Sequence, residues 1–87
     1  IGLTQSIAAE YGPRGIRANC VLPGFLDTPM TRHLLEDEAQ RARVLAAHCL
    51  GRLNTVEDAA RFIAFLQSLN SISGQVFQLD SRLSAWT

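Results

Sequence analysis

The chain has 87 residues, of which 47% are hydrophobic and 18% charged, with a formal net charge of zero and a pI near 6.9. That balance belongs to an ordinary globular protein, offers no basic surface for nucleic acid or an anionic membrane, and contains no apolar run near the roughly 20 residues that span a bilayer. The two cysteines, Cys20 and Cys49, match no metal-ligand spacing and are too few for a disulfide framework, which fits a reducing, cytoplasmic setting.

The chain opens on Ile1, without a methionine or a signal-peptide pattern, as if inside a helix already under way, and reads as a piece of something longer. In that first helix Leu3, Ile7 and Tyr11 share one stripe with Ala8 beside them. Gly12-Pro13 is predicted to stop it, Gly12 by taking a left-handed conformation and Pro13 by refusing to continue. Residues 16–22, "IRANCVL", are apolar or small and predict a strand covered on both faces. Residues 32–48 carry many charges and predict one exposed helix, with Asp37 and Arg41 as an acid-before-base pair four apart.

Thr55 followed by Asp58 resembles a capping box and opens a helix running to about Gln67. Val56, Ala59, Ala60, Ile63 and Leu66 or Gln67 form one stripe, read as the core face. Phe62, Phe65 and Leu69 form a second, read as a surface for another subunit or for other parts of the same chain. Residues 70–74 make a Ser/Asn/Gly turn, and residues 75–80, "QVFQLD", alternate as a last strand.

Two strands joined by a long connection holding two helices form a crossover, the link between parallel neighbours. Parallel sheets are covered on both faces and need several strands, so the pattern predicts the end of a doubly wound α/β domain whose earlier strands are absent. Ligands of such sheets bind beyond the carboxyl ends of the strands, and "PG" at residues 23 and 24 stands at such an end. Pro23 fixes one dihedral, Gly24 lets a flat ligand approach the main chain, and the Thr28 hydroxyl can both donate and accept. On residue chemistry alone a Pro-Gly loop is equally a plain turn. His33 and His48 read as solvated surface residues, Asn19 and Asp80 as buried polar groups satisfied by the backbone, the eight scattered arginines as no phosphate patch, and Trp86 as a terminal residue, frayed or docked on a neighbouring subunit.

Taken together, "GLTQSIAAEYGPRGIRANCVLPGFLDTPMT", "GRLNTVEDAARFIAFLQS" and "SISGQVFQLD" resemble the C-terminal portion of the short-chain dehydrogenase/reductase family in its small, single-domain form, over residues 2–80. The resemblance implies that residues 1–87 are the C-terminal portion of one NAD(P)-binding Rossmann-like domain, with two strands and about three helices here. It implies an oxidoreductase that moves a hydride between NAD or NADP and a small carbonyl or alcohol substrate. By resemblance Pro23 and Gly24 border the nicotinamide, the Leu26 main chain meets its carboxamide, and the Thr28 hydroxyl bonds the carboxamide or the adjoining phosphate. The segment after Thr28 corresponds to the substrate-covering region, which brings Met30 or His33 toward substrate. The family's catalytic Ser, Tyr and Lys match nothing here, and the chain has no lysine at all. No catalytic residue and no metal ligand is therefore assigned. Where these proteins often read Asp-Gly-Gly, this chain has Asp80-Ser81-Arg82. The implied partners are the N-terminal portion of the same enzyme and further copies in a dimer or tetramer; the alternative reading is a non-catalytic binding or dimerisation module that keeps the fold.

Overall fold

The computed structural model describes residues 1–83; Trp86 lies outside them. Helix α1, Gly2–Tyr11, is followed by a 3-10 turn at Gly12–Arg14, strand β1 at Cys20–Leu22, helices α2 at Pro29–Leu34, α3 at Glu38–Ala46 and α4 at Val56–Gln67, and strand β2 at Val76–Gln78. The two strands pair in parallel, Cys20 with Val76, Val21 with Phe77 and Leu22 with Gln78. This is the parallel crossover expected from the sequence, with three helices in the connection where two were read.

The first helix stops at Tyr11, before Gly12-Pro13 as expected, but without the left-handed reversal at Gly12. Gly12 keeps right-handed dihedrals (φ −54°), and Pro13 fits the first turn of the 3-10 segment, where its missing N–H costs nothing. The reversal comes at Gly15, whose φ of +80° suits a residue without a Cβ.

The first strand is shorter than residues 16–22: before Cys20 one main-chain bond remains, from Gly74 N–H to the Ala18 carbonyl at 2.7 Å, and side chains share the pairing with it. Ala18 N–H donates to Ser73 Oγ at 3.0 Å, while Asn19 donates to the Ile72 carbonyl at 3.2 Å and accepts from the Gln75 amide at 3.1 Å. Asn19 is thus satisfied by backbone, as expected. Arg17 reaches instead to the end of α4, donating to the carbonyls of Leu66 and Gln67 at 3.5 and 3.2 Å, a cation at the negative end of a helix.

Residues 32–48 are not one helix. Helix α2 starts at Pro29, in the first-turn position that proline prefers, and ends at Leu34. Asp37 then caps α3, its Oδ1 accepting from Gln40 N–H at 2.9 Å. That role replaces the expected pair with Arg41, which is not formed among the described residues.

Helix α4 begins as read, with Thr55 Oγ1 accepting from Asp58 N–H at 3.1 Å. Its buried side differs from both expected stripes. Ala59 and Leu66 are buried and Phe62 and Leu69 are half-buried, whereas Val56 and Ile63 are exposed on one flank and Phe65 on the other. The Phe62 ring packs on Phe77 of β2, centroids 5.1 Å apart and tilted by 58°. The core-facing line is therefore 59, 62, 66 and 69, and α4 carries more apolar arc than this chain covers.

Coverage is thin throughout. Only Leu35, Ala59 and Leu66 form the buried apolar core of the described residues, and none of their large side chains is fully enclosed. The accessible surface is 6296 Å², against about 5,000 Å² for a compact protein of this mass. The Cα radius of gyration is 15.6 Å, against about 12 Å for a compact domain of this length.

Candidate functional site

The corner after β1 is built from both strands and from the entry to α4. Leu79 N–H donates to the Leu22 carbonyl at 2.9 Å and ends the ladder. The chain turns through Pro23 and Gly24, then runs beside residue 54: Leu26 bridges Asn54 in parallel, with Asp27 N–H donating to the Asn54 carbonyl at 2.8 Å. Asn54 is anchored in turn, its amide donating to the Leu79 carbonyl at 2.5 Å. The bridge engages Asp27, so among the described residues the N–H and C=O of Leu26 itself have no partner. A primary carboxamide, which offers both a donor and an acceptor, fits such a main-chain pair.

Thr28 has a second task that the sequence reading missed. It caps α2: Oγ1 accepts from Thr31 N–H at 3.1 Å and lies 3.0 Å from the Thr31 hydroxyl. Thr-Pro followed by a hydroxyl three residues on was the available signal, since Thr suits the cap and Pro the next position. When Thr31 donates to Thr28, the Thr28 proton stays free for an acceptor outside the helix.

Gly24 departs from its expected role in one respect. It has φ +67°, and the side a Cβ would occupy is filled by the Asp80 carboxylate, with the Arg82 guanidinium 3.2 Å from that position. Glycine is needed there for packing as well as for the turn. Asp80 has no exposed side-chain surface, unlike Pro23 and Gly24, which lie on the open side of the corner. It is satisfied by side chains and not only by backbone: Oδ1 accepts from Gln78 Nε2 at 2.9 Å and from Arg82 N–H at 3.2 Å, and Oδ2 from Arg82 Nε at 2.6 Å. Burial pushes its pKa up, but the Gln78 and Arg82 hydrogen bonds and the Arg82 charge outweigh that and hold it below the ordinary carboxylate value.

Helices α2 and α3 follow the corner directly. Met30 is 74% exposed, and His33 is exposed with Nδ1 3.2 Å from Glu36 Oε1. Arg32 pairs with Asp27 at 2.8 Å on the surface, where such a pair adds little stability. His48 is not the solvated residue expected. It is 3% exposed, and its Nδ1 lies 2.7 Å from the Val44 carbonyl, which can only accept; Nδ1 therefore carries the proton, and buried Nε2 has no partner among the described residues.

Two cavities of about 340 and 540 Å³ flank residues 52–55, one against the end of β2 and one against α2 and α3. Neither is lined by Pro23, Gly24, Leu26 or Thr28. The structure thus places those four residues along one open corner, with Leu26 and Thr28 half-buried. Among the described residues no helix is long and apolar enough to cross a membrane, and no group of His, Cys, Asp and Glu is placed to hold a metal ion.

Comparison with known proteins agrees with this architecture. A family model described as enoyl-(acyl carrier protein) reductase matches residues 1–82. The chain is 48% identical over 67 residues to a 3-oxoacyl-(acyl-carrier-protein) reductase of Pseudomonas aeruginosa, which covers 77% of this chain and 26% of that protein. It is 48% identical over 71 residues to a (3R)-3-hydroxyacyl-CoA dehydrogenase of Mus musculus, 82% of this chain and 27% of that one. The chain thus spans about a quarter of the length of these relatives. Among solved structures, a 4-hydroxyisoleucine dehydrogenase mutant complexed with NADH and succinate superposes with a TM-score of 0.84 at 28% identity, over 97% of this chain and 35% of that one.

Proposed function

Because this chain belongs to the short-chain dehydrogenase/reductase family, we propose that it is the C-terminal portion of an NAD(P)-dependent oxidoreductase acting on a small carbonyl or alcohol substrate. In this reading residues 1–87 are part of a single Rossmann-like domain, and the N-terminal portion supplies the phosphate site and the catalytic acid and base. The named relatives are a reductase and a dehydrogenase of 3-oxoacyl and 3-hydroxyacyl groups, and a structural neighbour is complexed with NADH.

The observation that carries the reading is the Leu26 main chain, which has no partner among the described residues and sits at a Pro-Gly corner beyond the carboxyl end of a parallel strand. A bound nicotinamide supplies the hydride chemistry. This chain's residues bind and orient: Pro23 and Gly24 border the ring, the Leu26 N–H and C=O take the carboxamide, the Thr28 hydroxyl donates to the carboxamide or phosphate, and α2 and α3 cover the substrate. Fluorescence titration of the full-length protein with NADH and NADPH tests it. Saturable binding of either, weakened by Thr28→Val, is expected, and no binding of either overturns it.

The same reading makes the full-length protein a cytoplasmic homo-oligomer. The exposed Val56, Ile63 and Phe65 on either side of the α4 core line supply apolar surface for a second copy. Sedimentation giving a dimer or tetramer supports this, and a monomer at micromolar concentration contradicts it.

A further inference from the structure

The segment after β2 touches two parts of the site at once. Through Asp80 it reaches the corner: the buried carboxylate fills the space beside Gly24, held by Gln78 and by two hydrogen bonds from Arg82, whose guanidinium lies beside the same Cα. Through Ser81 it reaches the residues just after α3, the helix that with α2 covers the substrate in the proposed reading. The Ser81 carbonyl accepts from Cys49 N–H at 2.8 Å, and its Oγ accepts from Leu50 N–H at 3.3 Å. Arg82 also pairs antiparallel with His48. Residues 48–50 follow α3 almost directly, so one three-residue segment is tied to the base of α3 and to the corner.

We propose that Asp80, Ser81 and Arg82 form a positioning clasp that holds the Pro23-Gly24 corner and the base of α3 in one frame, with Arg82 acting on the cofactor-facing main chain through Asp80. This rests on the reading of the corner as the nicotinamide side. Arg82 is a positioning residue and not a catalytic one, because the role argued for it runs through its two hydrogen bonds to Asp80.

The Asp80 carboxylate is out of water and depends on its donors, and the Arg82 Nε bond at 2.6 Å is charge-assisted and short. Removing the guanidinium leaves a buried anion short of its counter-charge, which it relieves by moving or by taking a proton. Either response changes what packs against Gly24. The dihedrals of Gly24 set the direction in which residues 25 and 26 leave the turn, so the Leu26 N–H and C=O shift with it. Ser81 transmits the same displacement to residues 49 and 50. A Gly-Gly pair after this aspartate would keep the two main-chain bonds, Cys49 N–H to the Ser81 carbonyl and Arg82 N–H to Asp80, but not the Ser81 hydroxyl or the Arg82 guanidinium, so the charged part of the clasp belongs to this chain's Arg82.

The test uses the full-length protein with Arg82→Met, the conservative Arg82→Lys, and Arg82→Gln in case the first does not fold. NADH and NADPH are titrated by fluorescence, thermal melting is recorded, and backbone amide exchange is followed over residues 24–28 and 48–50. Arg82→Met is expected to raise the cofactor Kd about tenfold, the scale of one charge-assisted hydrogen bond, and to speed exchange in both segments while α1 is unchanged. Arg82→Lys, which keeps the charge, recovers most of the affinity, and Arg82→Gln falls between. A lowered melting temperature with wild-type Kd in the variants overturns the proposal and leaves the cofactor site standing. Failure of the wild type to bind either nucleotide overturns the cofactor reading and the clasp with it.

Discussion

Replacing Gly24 by alanine isolates the packing of the corner from the turn that it makes. Gly24 and Gly15 both have positive φ, +67° and +80°, but their surroundings differ. A Cβ on Gly15 meets nothing within 4 Å, whereas a Cβ on Gly24 runs into the Asp80 carboxylate. Either alanine pays left-handed strain of about 1–2 kcal/mol. At Gly15 that is the whole cost. At Gly24 the carboxylate must also leave its donors, and disrupting a buried, charge-assisted hydrogen bond adds about 1.5–3 kcal/mol. Urea unfolding of the full-length protein should therefore show a loss of roughly 2.5–5 kcal/mol for Gly24→Ala and roughly 1–2 for Gly15→Ala. In an Asp80→Ser background, the cost of Gly24→Ala should fall close to that of Gly15→Ala, because the obstructing carboxylate is gone and the Arg82 guanidinium, 3.2 Å from that position, is the end of a flexible side chain released from its partner. Equal losses at the two glycines in the otherwise unaltered protein would refute the packing argument.

Thr28→Val should cost about 1 kcal/mol of stability through the lost cap and a further 1–2 kcal/mol, roughly, in cofactor affinity. Thr28→Ser should keep both; unaltered affinity in the valine variant removes Thr28 from the site. Because the Asp80 pKa is depressed in the fold, its contribution is complete above the unfolded value of about 4 and is lost as pH falls through the lower folded value. Asp80→Asn should thus flatten the acid limb of a stability-versus-pH curve below about pH 4, and an equally steep limb would exclude this source. The isolated 87-residue chain, whose described residues bury only three apolar side chains, should give poorly dispersed amide signals and no cooperative melt; a sharp two-state melt would show that it folds alone.

Legibility followed the range of the interactions. The α4 cap, the two parallel strands and the corner could be read because Thr55 with Asp58, the apolar runs and Pro23-Gly24 are local signals. The α2–α3 break was equally local, in Thr28-Pro29 and Asp37, but charge density masked two caps as one exposed helix. What no local pattern shows is where a side chain goes across the chain. Arg17 on the end of α4, Asp80 against Gly24, and His48 buried beneath the 81–82 segment are contacts between residues tens of positions apart. The core line of α4 was misassigned for a related reason. Its apolar arc is wider than the part this chain covers, so periodicity alone did not distinguish Phe62, packed on Phe77, from exposed Ile63.

The most direct measurement is amide exchange across residues 24–28 in the full-length protein, with and without saturating NADH or NADPH. Bound nucleotide should slow exchange at Leu26, whose N–H is otherwise without a partner among the described residues, and slow it less in Thr28→Val at equal nucleotide. Saturable binding that leaves exchange at Leu26 unaltered would contradict the claim that this corner holds the nicotinamide.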